Sequence, residues 1–301
     1  MSNFDPQVAA HRKMLEETID VDFDEASVEI HGSDTFRSHL GASIIGKKCS
    51  RQIWYAFRWV LKPDFSSKHK TNGQMLRLFD RGQREESAIM LVMKKQGFRF
   101  IDPPVDPKTG FPGQHRMQKQ AFGHMGGSMD AIGYLPEKFN FPHLVLFEFK
   151  TANAKSFRET KRDGMKINKS EHWAQMCTYG RDKDIHYGMY IVVNKDTDEV
   201  YFEFLVLNHD LGQDMVNKGE MIVMSAVDAP PNRISESAAI FDCKACQFSD
   251  ICHYGDEVVK NCRSCIHSVP VQDGQWKCNH FGNTIPPDFI PKGCDKHVGI
   301  K

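Results

Sequence analysis

The sequence predicts an α/β fold: a mixed β-sheet flanked by helices, with a cysteine-rich metal-binding module at the C-terminus. Three observations carry this. The run Leu144-Val145-Leu146-Phe147-Glu148-Phe149-Lys150 is apolar, has strand composition and ends in an acid and a lysine. The stretches on either side alternate between helical and strand periodicity. Seven of the nine cysteines follow residue 240, including two Cys-x2-Cys pairs that suit a metal better than disulfides in a reducing compartment.

A chain of 301 residues holds one large domain or a core with an appendage. Its 39 basic and 39 acidic residues balance, so no whole-protein field draws in nucleic acid and any such contact falls to local basic patches. No apolar run reaches the length of a membrane span. The N-terminus, acidic from Glu16 to Glu25, lacks a signal-peptide core, and the expected location is the cytoplasm.

Residues 1–42 are a polar, acidic segment, expected as a short helix followed by an extended piece from Ala26 to His31. Ser43 is placed to cap a helix from Ile44 to about Val60, which carries Cys49 and Arg51. A second helix is expected from Gln74 to Gln96, where Gly97 ends it. Its apolar stripe of Phe79, Gly82, Ile89, Met90 and Met93 is interrupted by Glu86, with Glu85 about 100° away, and periodicity leaves open which acid faces inward. After a proline-rich loop, Gly126 to Leu135 reads as a strand entered through glycines, with Asp130 on the same face as Ile132 and Tyr134. A turn through Pro136 to Pro142 leads into the Glu148 strand.

Side chains two apart in a strand share a face, so Leu144, Leu146, Glu148 and Lys150 point one way and Val145, Phe147 and Phe149 the other. Burying charges is costly unless they are paired or bind a metal. If the Asp130 and Glu148 strands pair antiparallel, the two carboxylates meet, and a divalent cation is the usual remedy for their repulsion. The segment Thr151 to Lys169 is rich in Lys and Arg, reading as a solvated loop or a phosphate-contacting surface. A helix capped by Ser170 then presents His172, Gln175, Met176 and Tyr179 at helical spacing. Strands from His186 to Asn194 and Glu199 to Leu207, and a helix from about Asp210 to Val227, complete the core.

Beyond Pro230-Pro231 come two cysteine groups. Cys262-x2-Cys265-x12-Cys278-x15-Cys294 supplies four sulfurs, enough for a tetrahedral zinc site, with His267, His280 and His297 as possible substitutes for one. Cys243-x2-Cys246-x5-Cys252 supplies three and needs a distant fourth, for which Cys49 is the natural candidate. Four such sulfurs suit an iron–sulfur cluster. Cys177 stands apart, within the helix of Gln175 and Tyr179.

The order Glu86, Asp130, Glu148-x-Lys150, Gln175-x3-Tyr179 resembles the PD-(D/E)XK nuclease superfamily, in particular its RecB-like branch. The cysteine before this core and the Cys-x2-Cys-x5-Cys after it are similar to the iron–sulfur subgroup that includes the AddB nuclease domain and CRISPR-associated RecB-like exonucleases. The resemblance covers about Ser43 to Cys252. It implies a restriction-endonuclease-like core over 43–255; the four-cysteine zinc module read from spacing, over 256–301, lies beyond that core. It implies Mg2+ or Mn2+ held by Asp130, Glu148, Glu86 and the Phe149 carbonyl, with Lys150 acting on the attacking water and scissile phosphate. Gln175 and Tyr179, aided by His172, would position the strand or the lysine. A 4Fe-4S cluster would sit on Cys49, Cys243, Cys246 and Cys252. The implied substrate is DNA with a free end, degraded in recombination or repair alongside a recombination or helicase partner in a bacterial or phage-infected cell. The same residues also admit a non-catalytic nucleic-acid-binding protein with structural metal sites, or a structure-specific endonuclease.

Overall fold

The computed structural model describes residues 6–32, 36–62, 71–107 and 109–300. Helix α1 is Pro6–His31; a short strand β1 (Leu40–Gly41) leads through α2 (Ala42–Ile45) to α3 (Ser50–Phe57), and α4 is Asn72–Lys95. The chain divides into two units, Met1–Phe36 with Lys62–Ser87, and Arg37–Leu61 with Ala88–Lys301.

In the first unit Asp24 accepts hydrogen bonds from Thr71 Oγ1 at 2.6 Å and Gly73 N at 3.3 Å and pairs with Arg77 at 3.3 Å. Arg77 also donates to Ser27 Oγ at 2.6 Å and lies over the Phe23 ring at 4.9 Å. The extended piece expected at 26–31 is instead the end of α1. Ser27 bonds back to the Phe23 carbonyl, a helical i to i−4 bond that the β-branched Val28 and Ile30 gave no hint of.

In the second unit the single helix expected from Ile44 to Val60 is broken at Gly46 to Cys49. A Cβ on Gly46 would lie 2.8 Å from Glu171 Cα and 2.9 Å from Ala174 Cβ, so the chain bends where glycine allows close packing. The break leaves Cys49 extended at the N-cap of α3 rather than inside a helix.

Strands β2 (Arg99–Phe100), β3 (His115–Arg116), β4 (Met125–Gly126), β5 (Ser128–Met129) and β6 (Ala131–Tyr134) precede the long β7 (Val145–Ala152). Helices α5 (Ala154–Asp163), α6 (Met165–Asn168) and α7 (Ser170–Lys183) follow, then β8 (Tyr187–Asn194), β9 (Val200–Val206) and α8 (His209–Met224). The central sheet has the order β2-β6-β7-β8-β9, with β7 and β8 parallel and the other neighbours antiparallel. This is a mixed sheet flanked by helices, the architecture that the sequence leads one to expect.

The stretch read as one strand from Gly126 to Leu135 is three: β4 pairs with β1, β5 with β3, and only β6 joins the central sheet. Asp130 occupies the joint between β5 and β6. One sheet face is closed by Val145, Phe147, Phe149, Ala131, Met189 and Ile191 packed with Met93 of α4. The opposite face carries Leu146 and Glu148, and α7 packs across β7 and β8. The basic segment, read as a solvated loop or a phosphate-contacting surface, forms α5 and α6. Asn153 caps α5 by accepting from Ser156 N at 2.8 Å, Phe157, Thr160 and Met165 are buried, and Gly164 separates the two helices at φ +78°.

The C-terminal part contains α9 (Phe241–Lys244), α10 (Ser249–Tyr254) and a three-stranded antiparallel sheet of β10 (Ser268–Pro270), β11 (Trp276–Cys278) and β12 (Asn283–Thr284). It packs on α3. Buried Arg58 donates to Ser268 O at 2.8 Å, and buried Arg263 donates to Ser38 O at 3.0 Å while lying over the rings of Trp59 (4.2 Å), Phe57 (4.5 Å) and Trp276 (4.7 Å). Among the described residues no helix is long and apolar enough to cross a membrane.

Candidate active site

Because β6 and β7 pair with Ala131 opposite Phe147, Asp130 and Glu148 are the next pair in register. Where the β6 ladder stops, Asp130 Oδ2 takes over and accepts the Phe149 N–H at 2.8 Å. Glu148 is fully buried, and Lys150 turns back over both acids. Its Nζ lies 2.5 Å from Glu148 Oε1 and 3.6 Å from Asp130 Oδ2, and donates to the Phe149 carbonyl at 2.9 Å. Burial alone would lower the Lys150 pKa, but the charges of Glu148 and Asp130 outweigh it and raise it above the ordinary lysine value.

Helix α7 closes the site from above the sheet. Gln175 and Tyr179, one turn apart, are buried, and Gln175 Nε2 donates to the Tyr179 hydroxyl at 3.4 Å. Burial first, then the charges of Glu148 and Asp130, push the Tyr179 pKa up and keep the phenol protonated. The ring lies on Gly127, where an added Cβ would come within 2.5 Å of the hydroxyl oxygen. His172 shares a 2.7 Å hydrogen bond with the Tyr190 hydroxyl. Burial, then the charges of Lys150 and Lys169, push the His172 pKa down to about 4, so at neutral pH it is an uncharged imidazole.

Two residues of this neighbourhood escaped the sequence reading. Tyr190 is the register partner of Glu148 on β8, and Glu203 is the partner of Tyr190 on β9. Nothing in the β8 sequence separates Tyr190 from an ordinary core aromatic. Glu203 accepts from the Met165 N–H at 2.8 Å and from Tyr201 at 3.1 Å, which ties the basic α5–α6 segment to the sheet. Glu86 is half-buried on the part of α4 within the first unit, as is Glu85, which pairs with Arg81 at 3.9 Å.

Asp130, Glu148 and the Phe149 carbonyl are hard oxygen donors on one edge, the chemistry that suits Mg2+ or Mn2+. The cysteines form two further sets. Cys49 meets Cys243, Cys246 and Cys252 around a cavity of about 320 Å³ also lined by Arg51 and Arg233. Burial raises the Cys252 thiol, the two arginines pull it back, and Cys49 and Cys243 push it up again. Cys262 is pushed up to about 11 by burial and then by Cys294, Cys265 and Cys278, so these four also converge. Cys265 N bonds Cys262 O at 3.2 Å, closing the turn between the paired thiols. His297 is engaged with Ser264 at 3.1 Å, and the His267 and His280 rings face each other at 5.2 Å.

No protein-family model and no curated protein matches the sequence. Among solved structures the chain is similar to an alkaline exonuclease, LHK-Exo, from Laribacter hongkongensis, at 13% identity and TM-score 0.41, covering 62% of this chain and 86% of that one. A structure of LHK-Exo in complex with dAMP matches at 15% identity and TM-score 0.42, with 62% and 86% covered. The protein SSO0001 matches at 14% identity and TM-score 0.41, covering 78% of this chain and 96% of that one.

Among the described residues, one set of three His, Cys, Asp or Glu ligand atoms lies within 4.8 Å of one another: Asp184, His186 and His209. It is largely exposed, and an ion pair of 3.6 Å between His186 and Asp184 with stacked imidazoles accounts for it.

Proposed function

We propose that this protein is a metal-dependent DNA nuclease, an exonuclease that degrades DNA from a free end. The observation that carries the reading is the convergence of Asp130, fully buried Glu148, Lys150 and the Phe149 carbonyl at the joint of β6 and β7. A buried carboxylate beside a second one costs several kcal/mol unless cations compensate it, and a site that keeps both has a use for them.

In this reading Asp130, Glu148 and the Phe149 carbonyl hold Mg2+ or Mn2+. The bound ion would lower the pKa of a water and neutralise charge developing on the scissile phosphate. Lys150 would contact that phosphate as a positive charge. Tyr179, kept protonated by burial and by the charges of Glu148 and Asp130, would donate a hydrogen bond, with Gln175 orienting its hydroxyl. His172, neutral and hydrogen-bonded to Tyr190, fixes α7 against β8 beside the site. The exposed Lys155, Arg158, Lys161, Arg162 and Lys166 of α5 and α6 offer backbone phosphates a basic surface. Cys49, Cys243, Cys246 and Cys252 hold a 4Fe-4S cluster that ties the start of α3 to the C-terminal part, and Cys262, Cys265, Cys278 and Cys294 hold zinc.

The test is digestion of end-labelled linear and circular single- and double-stranded DNA with Mn2+, Mg2+ or EDTA, comparing the native chain with Lys150→Ala. The expected result is metal-dependent loss of linear DNA, sparing of circles, and a drop of at least about 100-fold in the variant, the range expected when one aimed charge is removed from a reacting centre. Binding of DNA with no cleavage under any divalent ion would replace the nuclease with a metal-stabilised binding protein. Cutting of circles would make it an endonuclease.

A further inference from the structure

Three oxygens lie within 4 Å of the Lys150 ammonium: Glu148 Oε1 at 2.5 Å, the Phe149 carbonyl at 2.9 Å and Asp130 Oδ2 at 3.6 Å. They are the same three oxygens that form the donor set for a divalent ion. We propose that Lys150 is the resident counter-ion of the acid pair, that a divalent cation must displace it, and that this displacement releases the ammonium toward the phosphate. The inference rests on the metal reading above and adds to it how loading of the site is controlled.

The argument is one of space and charge. A Mg2+ ion sits at about 2.0–2.1 Å from its oxygens and tolerates little distortion, so it cannot share their inner edge with an ammonium at hydrogen-bonding distance. Two carboxylates and one ammonium leave the site with a formal charge of −1. Replacing the ammonium by a divalent ion satisfies both acids and frees the lysine. Fully buried Glu148 cannot be left bare, so the two cations exchange rather than leave in turn. The lysine has somewhere to go: its side chain is 30% exposed, whereas that of Glu148 is 0% exposed. Lys150 is therefore a positioning residue before the metal arrives and a phosphate contact afterwards, and the site arms its lysine only when the metal is present.

The experiment measures Mn2+ binding to the full chain without DNA, by the electron paramagnetic resonance of free Mn2+, for the native protein, Lys150→Met and Asp130→Asn. Alongside it, acylation of Lys150 by a lysine-reactive reagent is followed by mass spectrometry with and without Mn2+. Lys150→Met keeps the length of the side chain without its charge and should bind Mn2+ at least about tenfold more tightly, since a competing charge at contact distance is gone. Asp130→Asn should bind it at least about tenfold more weakly, having lost an anionic donor. In the native chain, Mn2+ should speed Lys150 acylation several-fold, a readout that needs no variant to fold.

Native-like affinity in Lys150→Met, or acylation that ignores Mn2+, would overturn the counter-ion role while leaving the metal reading intact if Asp130→Asn still weakens binding. Mn2+ binding indifferent to Asp130→Asn would overturn both.

Discussion

Asp130, Glu148 and Lys150 illustrate how few residues make the candidate site, and how much their neighbours constrain it. Gly127 is the clearest case. Its missing Cβ makes room for the Tyr179 ring, so Gly127→Ala pushes against an aromatic wedged beneath α7. The substitution should cost about 1–3 kcal/mol in urea unfolding and lower DNA cleavage with it. Because the hydroxyl is the nearest atom, adding Tyr179→Phe should cost less than the sum of the single changes, a coupling that a double-mutant cycle measures. Parity along β7 was enough to pair Glu148 with Lys150 and to oppose Asp130. The Gly127–Tyr179 contact was not legible, since it joins residues that share no element and no spacing.

His124 makes a second residue-scale prediction. It is buried edge-on to Phe57 at 5.6 Å and to Trp276 at 5.4 Å, with a ring nitrogen 2.8 Å from Val271 O. Burial lowers its pKa to about 4 against the pull of the Val271 bond, with the nearby arginines adding to the lowering. The unfolded chain binds the proton near the ordinary 6.5, the folded chain only near 4, so stability present above pH 6.5 is lost as the pH falls toward 4. The loss is at most about 3 kcal/mol. Chemical denaturation between pH 7 and pH 4 should show that slope, and His124→Gln should flatten it.

At the scale of elements, the contact between α3 and the C-terminal three-stranded sheet is built on cations without acids. Among the described atoms, Arg263 Nε and Nη2 have no hydrogen-bond partner, and the guanidinium is held by aromatic faces and backbone carbonyls. Arg263→Ala should cost about 3 kcal/mol or more, from lost packing and stranded carbonyls. Arg263→Met, which fills the same slot, should cost less than half as much, because it also removes a buried charge. Thermal melts of the two variants test this. The helices of the core were legible from periodicity, but the break at Gly46 was not, because its cause is the backbone of α7 rather than the local sequence. In the same way, three different partner strands divide the stretch from Gly126 to Leu135, and no local pattern announces them.

At the scale of the whole molecule the proposed cluster on Cys49, Cys243, Cys246 and Cys252 would tie the two ends of the second unit together. Under the proposed assignment, anaerobically prepared Cys49→Ser should lose iron and visible absorbance, keep its zinc and melt at lower temperature. Cys262→Ser should lose zinc and keep its iron. Elemental analysis of both proteins separates the two sites, and iron retained in Cys49→Ser would refute the cluster assignment.

Composition and periodicity determined the class of fold, the order of its core elements and that Glu148 interrupts an apolar strand, because burial acts on each residue through its immediate neighbours along a strand or helix. Tertiary structure alone decided that Asp130 caps the ladder at Phe149, that Tyr190 and Glu203 extend the row from Glu148, and that Arg58 and Arg263 bind the cysteine-rich part to α3. Those contacts join residues far apart in sequence, and a hydrogen bond or a packed ring acts over a few ångströms of space whatever the length of chain between its partners.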